Sequence, residues 1–169
     1  MNIFVVVIYN YYSTTRCISS YRTRKEAIEA CVKYHEADLD RKRMFSSEPE
    51  SKFGNISAIK ETLTKFGSQT FYHDELDRQD RWGTKYQRLY KIYFVKEIKG
   101  YISDKFILMV QDKQQPMNLE CFACPTREKA VELTSKKLNK SSSQKIKNRF
   151  TGNYYTKGGV NFFIENINV

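Results

Sequence analysis

Apolar and polar positions along this chain alternate between two periods. Ile3 to Tyr9 is an unbroken apolar, β-branched run, the pattern of a strand covered on both faces or carrying one face into an interface. Polar residues from Asn10 to Thr15 mark a turn, and Arg16 to Tyr21 is a shorter strand, the predicted antiparallel partner of the first. Thr23 opens a helix with a capping box, its hydroxyl accepting from the Glu26 amide while the Glu26 carboxylate reaches back to the Thr23 amide. Ala27, Ile28, Cys31, Val32 and His35 share one face at helical spacing, so this helix is predicted to lie on a sheet and to end near Asp38 to Lys42. Ser46 to Ser51 reads as a loop. Ile56, Ile59, Leu63 and Phe66, spaced 3, 4 and 3 apart, form a second amphipathic stripe that Gly67 stops. His73 to Trp82 is charged and reads as exposed surface. Tyr90 to Ile98 reads as a strong strand ending at Lys99 and Gly100.

The succession then returns. Ile107 to Val110 answers Phe4 to Val7, Glu120 to Cys124 answers Cys17 to Tyr21, and Thr126 starts a second helix. Thr23 matches Thr126, Ala27 matches Ala130 and Glu29 matches Glu132 at a constant offset of 103. A final strand from Asn161 to Ile167 sets Phe162-Phe163-Ile164 against Tyr93-Phe94-Val95 at a different offset. Self-similarity near half the chain length predicts an α+β fold of two tandem β-β-α-β units with pseudo-two-fold symmetry, their helices packed on antiparallel sheet. Residues 1–100 form the first unit, with an insert at 43–80 that carries the extra helix, and 101–169 form the second. A lone three-stranded unit has too little core, so the two are expected to join, edge to edge or face to face.

Composition narrows the class. At 169 residues the chain suits one large domain or two small ones, and 40% hydrophobic content is ample for a core. The 12 Tyr residues suit half-exposed sheets and protein interfaces, where the ring buries and the hydroxyl stays wet. A net charge of +10 favours contact with a polyanion, either nucleic acid or an acidic protein surface. Four cysteines and no signal peptide point to a reducing, intracellular compartment. The opening apolar run ends by Tyr9, well short of the roughly 20 residues of a membrane span.

Candidate chemistry is sparse. Cys121 and Cys124 form a C-x-x-C, but strand alternation points them to opposite faces, which suits neither a disulfide nor a shared metal. His35 lies on the predicted buried stripe and reads as a core histidine. His73, Asp74, Glu75, Asp77 and Asp80 form an acidic cluster interleaved with Arg78 and Arg81, which reads as a self-paired solvated face. No phosphate-binding glycine loop, nucleophile elbow or metalloprotease motif occurs, so an enzyme, a cofactor, a metal and a small-molecule substrate are not expected. The basic stretch is the better lead. Lys136, Lys137, Lys140, Lys145, Lys147 and Arg149 occur with no acid among them, and Tyr154 and Tyr155 follow, a mixture that neutralises phosphates and stacks on bases. Arg22, Arg24 and Lys25 add a second basic corner at the start of the first helix, where cations oppose the helix dipole.

The segments Cys17 to Ala30 and Glu120 to Leu133, with the strands around them, resemble small domains of uncharacterised proteins from bacteriophages and large DNA viruses. The richness in Asn, Lys, Tyr and Ile is similar to the coding bias of AT-rich viral genomes. The resemblance carries no catalytic residues. It implies a non-enzymatic structural or interaction protein, such as a minor capsid or virion component, whose partners are other protein subunits of an assembly. The expected partner-binding residues are Ile56, Ile59, Leu63, Phe66 and Trp82 in or beside the insert. A basic nucleic-acid-binding module using residues 136–157 is the alternative.

Overall fold

The apolar run that opens the chain forms β1 (Asn2–Asn10), and its lack of alternation is explained by a core on each face. Ile3, Val5 and Val7 turn inward, while Val6 and Ile8 turn outward beneath two helices. A computed structural model describes residues 1–11, 15–43, 55–79, 85–138 and 154–167. After β1 come β2 (Arg16–Tyr21), α1 (Arg24–Arg43), α2 (Ile56–Phe66), β3 (Ser68–Gln79) and β4 (Lys85–Lys99). They are followed by β5 (Phe106–Asp112), β6 (Leu119–Cys124), α3 (Arg127–Lys137), β7 (Tyr154–Lys157) and β8 (Val160–Asn166). The fold is α+β, with two four-stranded antiparallel sheets ordered β2-β1-β4-β3 and β6-β5-β8-β7. The identical strand order is consistent with two similar units.

The sheets pack face to face. Ile3, Val5, Val7, Ile92 and Phe94 of the first share one core with Ile107, Met109, Leu119 and Phe163 of the second. On the outer face of the first sheet, Ala27, Ile28 and Cys31 of α1 and Ile59 and Leu63 of α2 cover Val6, Ile8, Tyr93 and Val95. On the outer face of the second, Ala130 and Val131 of α3 cover Leu108, Phe162 and Ile164. The layers therefore run helices, sheet, sheet, helix, which buries both faces of every central strand.

Among the described residues each sheet holds four strands, where the sequence predicted three for each unit. β3 lies at a sheet edge, and its sequence from Tyr72 to Gln79 is charged, so no alternation announces it. β7 is four residues long and is joined to β8 by Gly158 and Gly159, with φ of 61° and 77°. A two-residue turn with both φ positive is the hairpin form that only glycine-like residues adopt easily.

The repeat also needs a correction of register. The helices keep the offset of 103: Ala27, Ile28, Cys31 and Val32 are buried in α1, and Ala130, Val131, Thr134 and Ser135 in α3. In the first strands the rows that correspond are Cys17–Val7–Phe94 and Cys121–Met109–Phe163, so Val7 answers Met109 at an offset of 102. The turn from Met109 to Cys121 is two residues longer than that from Val7 to Cys17, and a bulge in β2 at Ile18 takes back one of the two, which restores 103. A continuous apolar run has no parity to read, and a slip of one residue exchanges its faces.

Candidate functional site

Two depressions meet along the seam between the units and share Lys96 and Met117. The smaller, about 300 Å³, lies between the start of α1, the end of α2 and β4, with Arg24, Phe66, Gly67 and Val95 in its wall. The larger, about 610 Å³, runs from β4 towards the end of α3, past Glu120, Lys137, Leu138 and Phe162.

Local chain chemistry builds the smaller one. Asn55 caps α2 by accepting from the Ser57 amide at 2.8 Å, and Gly67 closes it in the left-handed region at φ 70°, its amide donating to the Leu63 carbonyl. Ile59 and Leu63 anchor the helix in the core, which leaves Phe66 at the last position 67% exposed. Arg24 reaches from the first turn of α1 to the same Leu63 carbonyl at 3.3 Å, a cation on the negative end of α2. From the second unit comes Met117, 44% exposed, in the turn between β5 and β6. The Asp112 carboxylate shapes that turn by accepting from the Gln114 and Gln115 amides at 2.7 and 3.0 Å.

The cations of the groove differ in their company. Lys96 is half-buried, and its ammonium lies 5.6 Å from the centre of the Phe94 ring. The Lys137 ammonium pairs with Glu120 and lies 4.6 Å from the centre of the Phe122 ring. Lys136 pairs with Glu132 at 3.0 Å, and hydrogen bonds from Lys129 and Lys136 hold the Glu132 carboxyl down to about 2.

Reactive side chains are placed for packing. Burial pushes the thiols of Cys31 and Cys121 up to about 12 and that of Cys124 up to about 11, and raises Cys17 well above the usual thiol range. Thiols so raised stay protonated and are poor nucleophiles. Cys121 packs against the intersheet core and Cys124 sits under α3, on opposite faces as the alternation predicts. His35 is 3% exposed, stacked on Phe71, with Nδ1 hydrogen-bonded to the Tyr93 hydroxyl at 2.9 Å. Nearby, the Lys91 ammonium meets the Asp38 carboxylate at 2.5 Å. Among the described residues no group of His, Cys, Asp and Glu is arranged to hold a metal ion. No helix among them is long and apolar enough to cross a membrane.

The predicted site residues separate. Arg22 and Lys25 are exposed at the start of α1, whereas Arg24 serves α2. Lys136 and Lys137 are engaged by acids. Tyr155 is 8% exposed in the core under α3, and Tyr154 packs against the intersheet core with its hydroxyl donating to Asn161 at 3.0 Å. Neither ring is free to stack on a base, because β7 carries both into the sheet. Ile59 and Leu63 likewise belong to the chain's own core, Ile56 is half-buried, and of that stripe Phe66 alone is exposed. Lys140, Lys145, Lys147, Arg149 and Trp82, the loop at Ser46 to Ser51, and the side chains of His73 to Asp80 lie outside the described residues. Lys96 and Met117 went unpredicted. Lys96 sits in an apolar strand and Met117 in a polar turn, and both misplacements are visible in the sequence.

Comparisons with protein-family models, with curated proteins and with solved structures found no match to this chain.

Proposed function

We propose that this chain is a non-enzymatic structural or interaction protein that joins other protein subunits in an assembly, such as the particle of a large DNA virus. The observation that carries the reading is the seam groove, where Phe66 of one unit and Met117 of the other stand exposed around Lys96. Exposed apolar side chains gathered in one concave place mark contact surfaces more often than scattered ones do. The raised thiols and the buried His35 support a non-catalytic role. Free Cys17, Cys31, Cys121 and Cys124 agree with work in a reducing compartment.

The same reading takes 1–100 and 101–169 as one scaffold used twice about a pseudo-two-fold axis, with α2 as the insert of the first copy. Three features support it. Strand order is common to both sheets, β2 touches β8 as β6 touches β4, and the Arg16–Glu165 ion pair has Glu120 and Lys96 at the corresponding positions with charges exchanged.

The test is chemical cross-linking in cells that make the full chain, read by mass spectrometry. Cross-links from Lys65, Lys96 or Lys137 to another polypeptide are expected. A chain that forms none and sediments as a monomer at every concentration overturns the reading. Ultraviolet cross-links to nucleic acid through the 136–157 stretch would put the nucleic-acid module in its place.

A further inference from the structure

β3 begins at Ser68, opposite Phe94, whereas β4 runs on to Lys99. From Lys96 to Lys99, β4 therefore has β1 on one side and, among the described residues, no strand on the other. The ladder fixes which backbone groups point to the open side. The Val95 amide donates that way, to the Gly67 carbonyl at 2.8 Å, and backbone groups alternate sides along a strand. Glu97 and Lys99 thus turn their N–H and C=O groups outward, and both residues are exposed. An edge of this kind, about 13 Å long at the usual rise per residue, is a template for an added strand.

The surroundings select the occupant. The smaller depression lies against this edge, with Phe66 and Met117 as its exposed apolar walls. Its one acid, Glu97, accepts from the Asn2 side-chain amide at 2.6 Å, and Glu120 of the larger depression is paired with Lys137. Lys96 has no carboxylate partner among the described residues, and Arg24 bonds only a backbone carbonyl there. Around the edge Arg24, Lys96 and Lys99 stand against the single carboxylate of Glu97, so the local charge is positive. On a chain of net charge +10, Lys96 and Lys99 repel a second copy at this edge, the protective use of edge lysines, while attracting an acidic strand. A purely protective lysine extends into water, but Lys96 lies half-buried along the groove wall.

We propose that the open edge of β4 binds an acidic, extended segment of a partner protein as an added strand. Backbone bonds form to Glu97 and Lys99, a carboxylate meets Lys96, and an apolar side chain enters between Phe66 and Met117. This rests on the interaction-protein reading and names the chemistry of the partner.

The probe is an end-blocked peptide of alternating glutamate and valine, titrated into the full chain at low salt with amide exchange followed by NMR. Saturable binding is expected, with protection of the Glu97 and Lys99 amides. Lys96→Glu should weaken it about ten-fold or more, and methylating alternate peptide nitrogens should abolish it while keeping every side chain. Absence of binding, equal binding of a lysine–valine peptide, an unchanged affinity in Lys96→Glu, or protection of the same amides by a short oligonucleotide instead would each overturn the proposal. Cellular cross-links that persist in Lys96→Glu while the peptide fails to bind would remove this edge and leave the interaction reading standing. Loss of every cross-link from the parent chain would remove both.

Discussion

The Thr15 hydroxyl donates to the Gln111 side-chain oxygen at 2.5 Å, joining the turn after β1 to the far end of β5 across the two units. Both residues are 2% exposed, and the Gln111 amide in turn donates to the Pro116 carbonyl at 2.7 Å. Thr15→Val keeps the shape and leaves the glutamine oxygen buried without its donor, so a loss of about 1–3 kcal/mol in urea unfolding is expected. Combining Thr15→Val with Gln111→Met should cost less than the two single losses together. An unchanged midpoint in Thr15→Val would show that the bond contributes nothing to joining the units.

Gly100 sits where the chain passes from β4 towards β5, and a Cβ there would lie 2.4 Å from the Ala123 Cβ and 3.0 Å from Asp104 Oδ2. Gly100→Ala must push β6 away from the passing chain, at about 1–3 kcal/mol by analogy with overpacked cores. Ala123→Gly, added to Gly100→Ala, removes the atom in the way and should recover part of the loss in thermal melting. A double variant no more stable than Gly100→Ala alone would locate the strain elsewhere.

Burial raises the Glu165 carboxyl above its ordinary value, and Arg16 at 4.0 Å opposes this without cancelling it. A carboxyl raised in the fold holds its proton more readily there than in the unfolded chain. Its contribution to stability is therefore present below the ordinary glutamate range and is lost as pH rises through the raised value. Glu165→Gln should melt higher than the parent near neutral pH, with the gap closing below about pH 4. A lower melting temperature at neutral pH would mean that the Arg16 pair outweighs the burial.

The raised thiols predict slow alkylation. Iodoacetamide at mildly alkaline pH should label Cys17, Cys31, Cys121 and Cys124 far more slowly in the folded chain than in urea, because burial disfavours each thiolate. Rapid labelling of Cys121 in the native state would reveal an opening of the intersheet core.

Local signals were legible and long-range ones were not. The Thr23 box closes as its spacing predicts, with bonds of 3.0 and 3.2 Å to and from Glu26. Thr126 makes only the forward half, donating no return bond to a carboxylate, because Lys129 stands where the box needs an acid. Gly67 ends α2, and Phe94 and Phe163 each lie in the strand that stands third in its sheet. β3 escaped because its edge position lets it keep a charged sequence. β7 escaped although Gly158-Gly159 between two β-prone runs was a hairpin signal in plain view. The strand register slipped because Val5, Val6 and Val7 carry no alternation. The groove was beyond reach, since Phe66, Lys96 and Met117 meet only once the two sheets are stacked.

The stacked sheets have a consequence for synthesis of the chain. The inward face of Ile3, Val5 and Val7 is covered by Ile107, Met109 and Phe163, which leave the ribosome long after it does. During that interval an apolar sheet face stands bare in the cell, and its nearest chemical match is the same face on a neighbouring nascent chain. The order of translation thus sets a competition between the chain's own second half and its siblings, and yield of folded protein should fall as expression rate rises.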